Sequence, residues 1–351
     1  MKIPSYSNAA ILFEQKKPLV VADIALPKNL AYGQVLVKVH YSGICGSQIG
    51  EIDGVKGEDK YLPHLLGHEG SATVLKVGEG VKNVKEGDTV VLHWRKGKGI
   101  ESPTPVYSLN EIKVNAGWIT TFNDYSIISE NRMTKVNSDI DLVTAPLLGC
   151  ALTTGFGVIQ NDASLSIGES IVIFGSGGIG LSMIQAAKLR GAFPIIAIDQ
   201  FDGRLELARD HGADFIINST KENNIRSAIS NYTKDNLDVF VDNTGETEIM
   251  EMGYEMINQS GRLILVGVPK HTSKFSVYTL PLHFGKVITG SEGGSSSPSS
   301  DIPKFSNLIK SNQLEIKTQV TKICSLKDIN DAISDMKLGL VNGRVIIKLD
   351  D

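Results

Sequence analysis

Cysteine is almost absent: the 351 residues hold three, Cys45, Cys150 and Cys324. An odd, sparse set builds no disulfide framework, and a free cysteine is ordinarily a small buried hydrophobe. Cys324, in TKICSLKD, keeps that reading. Long apolar runs are missing as well. The longest stretch, Ile171 to Ile184, is interrupted by Gly175, Gly177, Gly178 and Gly180, which excludes a membrane span. The opening MKIPSYSNAAILFEQKK has no extended apolar core and no cleavage site, so no signal peptide is expected and the expected compartment is the cytoplasm. There is no excess of positive charge. A net charge of −4 argues against a nucleic-acid-binding surface. No internal repeat is visible.

What is present points to two domains, since the chain is long for a single core. Up to about residue 150 the sequence is β-rich. AAILF, PLVVADIA, QVLVKVHY, SATVLKVG and DTVVLH are short β-branched runs punctuated by Gly, Pro, Asn and Asp, as in a compact antiparallel or barrel-like domain. From about 152 the rhythm changes. SIVIF, PIIAID, DFIIN, LDVFVD, RLILVG and KVITG are six strand-like runs, most of them separated by helical segments. That alternation predicts a parallel sheet covered on both faces, the doubly wound dinucleotide-binding architecture. GGSSSPSS, after Gly290, reads as a flexible loop. A helix is expected to start near Asp301-Ile302-Pro303, and the tail ends on the strand GRVIIKL.

The first strand of the second half runs straight into Gly175-Ser176-Gly177-Gly178-Ile179-Gly180. This G-x-G-x-x-G is weak alone, but here a strand precedes it and a helix follows. Gly175 permits the tight turn, Gly177 lets the backbone approach a pyrophosphate, and Gly180 permits close helix–strand packing. The helix N-terminus adds N–H donors and a positive dipole. The next strand ends in Asp199, whose carboxylate accepts from ribose hydroxyls and repels a 2′-phosphate, favouring NAD over NADP. Arg204 follows, either against the adenosine ribose or as a solvated helix residue.

Cys45 in SGICGS, His68 in GHE and Cys150 in LGCA each lie beside glycine. One imidazole and two thiolates make a Cys₂His zinc set with an open fourth position. Spacing alone does not reveal it, and His68 by itself reads as a hydrogen-bonded histidine. The ordered motifs GICGS, P-x-x-x-GHE from Pro63 to Glu69, VGEGVKNVKEGDTV, LLGCALTTGFG, GSGGIG, GRLELARDHGAD and GRLILVGVP together resemble the medium-chain, zinc-dependent alcohol and polyol dehydrogenase family over nearly the whole chain.

The resemblance implies an α/β protein: a GroES-like catalytic domain over 1–151, an NAD-binding Rossmann domain over 152–290, and a segment 291–351 returning to the catalytic domain. It implies one catalytic zinc on Cys45, His68 and Cys150. Ser47 then binds the substrate oxygen and passes on its proton, and Glu69 is a carboxylate beside the metal. Gly175, Gly177, Gly178, Ile179, Gly180, Asp199 and Arg204 hold NAD. The implied reaction is hydride transfer between a primary or secondary alcohol and NAD in a homodimer or homotetramer. The alternatives are a zinc-free quinone or enoyl reductase, which would have lost the ligands, an epimerase-like or eliminating enzyme using zinc and NAD transiently, and a non-catalytic NAD-binding protein on the same fold.

Three departures stand out. The stretch from Leu92 to Tyr125 lacks the four cysteines of a second, structural zinc, so packing must hold that lobe. Gln48 replaces the Asp that often follows the first ligand motif; its amide oxygen is available to a ring N–H without charge, a change of the kind that alters affinity or activity by about 10–100-fold. Gly50 stands where a relay histidine is common, so the proton must leave by water, the coenzyme ribose or another side chain. Finally, His93-Trp94-Arg95-Lys96-Gly97-Lys98 follows DTVVLH, where the family lines its substrate cleft. Trp94 can stack on a sugar ring, Arg95 can bind a carboxylate or phosphate bidentately, and Trp118 can close the other side. That suggests a polyol or sugar derivative; a solvated charge run is the plainer alternative.

Overall fold

The structure is a computed structural model that describes residues 4–137 and 140–349. The described residues up to Cys150, together with those from Ser297 onward, form one compact unit, and Ala151–Ser296 form a second.

The first unit is β-rich because its strands carry apolar residues on both faces. Along Gln34–Ile44, Val35, Val37 and Val39 feed one core cluster while Leu36 feeds another. Ile127 and Ile128 of Tyr125–Ser129 divide in the same way. Each such side chain contributes about 1.5–3 kcal/mol on burial, so a strand shared by two cores fixes both. One layer is a closed barrel of Tyr6–Leu12, Val20–Ala25, Val106–Leu109, Ile112–Asn115 and His64–Leu65. The other is a sheet ordered Met133–Lys135, Thr89–His93, Glu69–Val77, Gln34–Ile44, Arg344–Lys348 and Val320–Ser325, with Tyr125–Ser129 also pairing to Gln34–Ile44. The register places Glu69 opposite His93 and Val345 opposite Ile44. Sequence-distant residues therefore meet at one end of the sheet.

The second unit carries the six runs expected as strands, all parallel. Their order is Phe215–Asn218, Ile195–Asp199, Ile171–Phe174, Leu237–Asp242, Ile257–Leu265 and Val287–Gly290. The first strand in sequence, Ile171–Phe174, sits centrally, at the point where the order reverses, and ligands of such sheets bind at that point. It is wholly buried, as a continuous apolar run in a sheet covered on both faces must be.

Two expectations need correction. The helix expected near Asp301 is Pro298–Lys310, so Pro298 is at its start and Pro303 lies inside it. The stretch read as a flexible loop is partly built: Gly293–Ser295 form a 3₁₀ turn with both glycines buried. A Cβ on Gly294 would stand 2.4 Å from the Thr154 carbonyl oxygen, and one on Gly157 would stand 2.2 Å from that of Gly294. These glycines are there for close backbone packing, not for flexibility. Among the described residues no helix is long and apolar enough to cross a membrane.

Candidate active site

Cys45 ends the strand Gln34–Ile44 and caps the helix Gly46–Ile52. His68 immediately precedes Glu69–Val77, and Cys150 closes the short helix Pro146–Gly149. Glycine makes two of these approaches possible. Gly67 has φ +91°, and a Cβ on Gly149 would sit 2.1 Å from the Leu92 carbonyl oxygen. Gly46 meets nothing within 4 Å, so the glycine after Cys45 is not required by packing.

The structure brings the three side chains together, with one donor atom of each within 4.8 Å of the others. The two sulfurs lie 4.0 Å apart. Two thiolates on a tetrahedral zinc, at about 2.3 Å each, would be separated by about 3.8 Å. Both cysteines are buried, and His68 Nε2 is buried without a hydrogen-bond partner. A buried ring nitrogen left in this way is costly unless something satisfies it, and a metal would do so. The Cys150 thiol beside it, opposed by burial and helped by the His68 ring and the Arg344 charge, holds the Cys45 thiol well below its ordinary range. The pocket favours thiolate, the form that ligates.

Ser47 is partly exposed on the helix Gly46–Ile52. Glu69 is fully buried and ion-paired with Arg344, itself 4% exposed. The backbone of Gly43 lies against that carboxylate, where a Cβ would come within 2.3 Å of Oε1. The Arg344 partnership was invisible in the sequence, because pairing of the tail strand with Gln34–Ile44 creates it. Gln48 differs from expectation. Its amide oxygen accepts the Gly67 N–H, and its amide nitrogen donates to Glu51 at 3.2 Å. It fixes the backbone just before His68 instead of accepting from the ring.

The cysteine-free lobe is held by more than packing. Glu130, 1% exposed, accepts the N–H groups of Lys82 and Asn83 and the Asn83 amide on one oxygen, and the Ile100 N–H on the other. Arg132 donates to the Trp94 carbonyl and to Glu101, and its guanidinium lies 5.1 Å from the Trp118 ring centroid. Arg95 stands 5.7 Å from the Trp94 ring centroid. Trp94 and His68 are the next residues out from the Glu69–His93 pair. Trp118 is 44% exposed. No feature of the sequence marked Glu130 and Arg132, since an acid and a base in SENRM are ordinary surface residues in most chains.

In the second unit Gly175 has φ +101°, and a Cβ on Gly180 would sit 2.2 Å from the Gly175 carbonyl oxygen. A Cβ on Gly177 would meet nothing within 4 Å. Gly177 caps the helix Gly178–Leu189, whose first turn contains Ile179. Asp199 reaches back across the turn. Its Oδ2 accepts the Ser176 N–H at 2.8 Å and its Oδ1 the Phe201 N–H at 3.1 Å. Arg204 Nη1 lies 3.8 Å from Asp199 Oδ1, and its guanidinium covers the Phe201 ring at 4.7 Å.

Residues 31–138 match the alcohol dehydrogenase GroES-like domain, and residues 178–311 match the zinc-binding dehydrogenase domain. The chain is 31% identical to an S-(hydroxymethyl)glutathione dehydrogenase of Escherichia coli O1:K1, over 95% of this chain and 97% of that one. It is 30% identical, over the same shares, to the protein of that name in Shigella sonnei. Among solved structures it is similar to an alcohol dehydrogenase zinc-binding domain protein from Burkholderia ambifaria, with TM-score 0.89, 26% identity and 99% of each chain covered. It is also similar to benzyl alcohol dehydrogenase from Acinetobacter calcoaceticus, with TM-score 0.88 and 27% identity, over 98% of this chain and 99% of that one. The chain therefore belongs to the medium-chain, zinc-dependent alcohol dehydrogenase family, and it is an oxidoreductase of alcohols that works with zinc and NAD.

Proposed function

We propose that Cys45, His68 and Cys150 hold the one zinc, and that Gly175, Gly177, Gly178, Ile179, Gly180, Asp199 and Arg204 hold NAD. The observation that carries this reading is the convergence of two sulfurs 4.0 Å apart and a partnerless ring nitrogen, with one donor atom of each residue within 4.8 Å of the others. When bound, zinc supplies a Lewis acid that favours the deprotonated alcohol, and NAD supplies the hydride acceptor. The chain does the rest. Ser47 binds the substrate oxygen and takes its proton at Oγ. Glu69, neutralised by Arg344, keeps a carboxylate beside the ligands without leaving a bare buried charge. Asp199 and the glycine turn orient the coenzyme.

For the substrate we propose a polyhydroxylated alcohol, a polyol or a sugar derivative, with Trp94, Arg95 and Trp118 contacting it. Two indoles each paired with a guanidinium, in the lobe that begins beside His68, support that class. The test is NAD-linked turnover on a panel of simple alcohols, benzyl alcohol, S-(hydroxymethyl)glutathione, polyols, sugar phosphates and nucleotide sugars. A polyol or sugar derivative is expected to give the highest kcat/KM, and Arg95→Ala is expected to weaken anionic members by about 10-fold or more, the loss of one charged hydrogen bond. Best turnover of short alcohols, or indifference to Arg95→Ala, would refute the substrate class and leave the zinc assignment standing. We also propose assembly as a homodimer or homotetramer in the cytoplasm. The exposed apolar side chains Tyr278, Leu280, Leu282, Phe284 and Val287, leading into the sheet-edge strand Val287–Gly290, support self-association.

A further inference from the structure

The strand Ile171–Phe174 lies between Ile195–Asp199 and Leu237–Asp242, and its last residue, Phe174, pairs with Ile198 on one side and Asp242 on the other. The residues that follow these three, Gly175, Asp199 and Asn243, therefore stand in one row at the C-terminal ends of neighbouring strands. Gly175 and Asp199 already belong to the proposed coenzyme turn. Asn243 has no role in it so far. Its backbone N–H donates to the Phe174 carbonyl at 2.9 Å, and its side-chain Nδ2 donates to the Gly175 carbonyl at 3.0 Å.

The side-chain bond matters because of what lies across from it. The Gly175 carbonyl and the Ser176 N–H belong to one planar peptide group, and that N–H donates to Asp199 Oδ2 at 2.8 Å. A single peptide plane is thus held at both ends, by side chains from the two flanking strands. It follows a glycine at φ +101°, whose backbone has the most freedom to lose. Asn243 stands on a fixed base. The Asp242 carboxylate, fully buried, accepts the Thr244 N–H at 2.9 Å, the Thr244 hydroxyl at 2.6 Å and the Gly245 N–H at 3.1 Å. The Asp242 carbonyl accepts the Val266 and Gly267 N–H groups at 2.8 and 3.0 Å, and a Cβ on Gly267 would sit 2.2 Å from the Gly245 nitrogen.

We propose that Asn243 is a positioning residue for the coenzyme, an inference that rests on the assignment of NAD to this glycine turn. With Asp199 it clamps the Gly175–Ser176 peptide, so the turn keeps its shape before any coenzyme arrives. A turn ordered in advance binds more tightly, because binding no longer has to order it. Freeing the Gly175 carbonyl loosens the turn that meets the pyrophosphate. Asp199 keeps a second anchor, the Phe201 N–H at 3.1 Å, so the adenosine end of the site stays in place. Loss of the clamp therefore falls on ligands that carry phosphates and spares adenosine.

The test is fluorescence titration of the zinc-loaded enzyme with NADH, followed by displacement of NADH with ADP-ribose and with adenosine. Asn243→Ala is expected to weaken NADH and ADP-ribose by about 3–10-fold, the net worth of one neutral hydrogen bond. Adenosine affinity and zinc content are expected to stay at wild-type values. Asn243→Asp has the same size but sets a carboxylate oxygen against the Gly175 carbonyl, so a loss of about 10-fold or more is expected; it carries the same comparison if Asn243→Ala does not fold. In the coenzyme-free protein, amide exchange is expected to quicken over residues 174–178 and to stay slow in the strand Leu237–Asp242. Wild-type NADH affinity in the variant, a loss shared equally by adenosine, or faster exchange across the whole sheet would overturn the proposal. Asp199→Ala separates the clamp from the assignment beneath it. If that variant also binds NADH like wild type, the coenzyme assignment falls; if it binds weakly while the Asn243 variants do not, only the clamp falls.

Discussion

In the six-stranded unit, the residues proposed to hold the coenzyme lie in one strand–turn–helix–strand passage and the start of the next helix, Gly175 to Arg204. In the β-rich unit, the proposed ligands come from three separated positions, 45, 68 and 150, and two further pairs reach across the fold: Glu69 to Arg344, and Gln48 to Gly67. The first arrangement stores its chemistry in backbone conformation, which glycines announce. The second stores it in tertiary contacts between side chains. The two should therefore fail differently when mutated.

The largest expected effect comes from separating them. Cys150→Ala is expected to lower turnover about 10³-fold or more, reflecting the several kcal/mol of charge stabilisation that a Lewis acid supplies. NADH affinity, measured by fluorescence titration, should stay near wild type. Equal loss of both would mean that the two units do not divide the work in this way.

A smaller effect is expected at Asp199. Both of its oxygens already accept backbone N–H groups, and a carboxylate has lone pairs left for a ribose. NADP is expected to be used about 10–150-fold less efficiently than NAD, the worth of hydrogen bonds to a charged group. Equal kcat/KM for the two coenzymes would contradict this. Because the same carboxylate pins the glycine turn, Asp199→Ala is expected to weaken NAD binding as well as relax the preference.

An effect of comparable size concerns stability, not turnover. Glu130→Gln is expected to cost about 2–3 kcal/mol, because four donors lose a charged acceptor. Burial pushes the Glu130 carboxyl up, but the N–H groups of Lys82, Asn83 and Ile100 and the Asn83 amide outweigh it and hold it below the usual range. Its contribution is therefore complete above the unfolded carboxylate pKa and is lost only as pH falls through the lowered folded value. His93 acts earlier. It is fully buried, donating to or accepting from Arg95 and Thr134 at 2.8 and 2.9 Å, and burial pushes its pKa from 6.5 down to about 4. Its unfolded imidazole takes up a proton first, so stability should decline as pH drops from about 6.5 toward 4. Thermal melts from about pH 7 down to about pH 3, for wild type and Glu130→Gln, measure both terms. A flat profile would show that the lobe is held by apolar packing alone.

Legibility follows the same division. The six parallel strands, the glycine turn and Asp199 could be read directly, because apolar runs and glycines act locally. Cys45, His68 and Cys150 were legible only through ordered resemblance, since their spacing carries no signal. Arg344 and Glu130 were missed. Each is an ordinary charged residue in sequence, made special by the strand or turn that reaches it. Gln48 was noticed but given the wrong partner, because which donor an amide oxygen meets depends on backbone placement. The helix at Pro298 began before its expected start because proline is tolerated in a first turn, and Pro298 fits there as well as Pro303 does.

The central claim is one zinc on three scattered side chains, in a lobe that does without a second. Elemental analysis of metal-replete protein, with Cys150→Ala alongside, tests it most directly. The expected result is one tightly bound zinc per wild-type chain and loss of that zinc in the variant. Two zincs per wild-type chain, none after repletion, or full zinc retention by Cys150→Ala would contradict it.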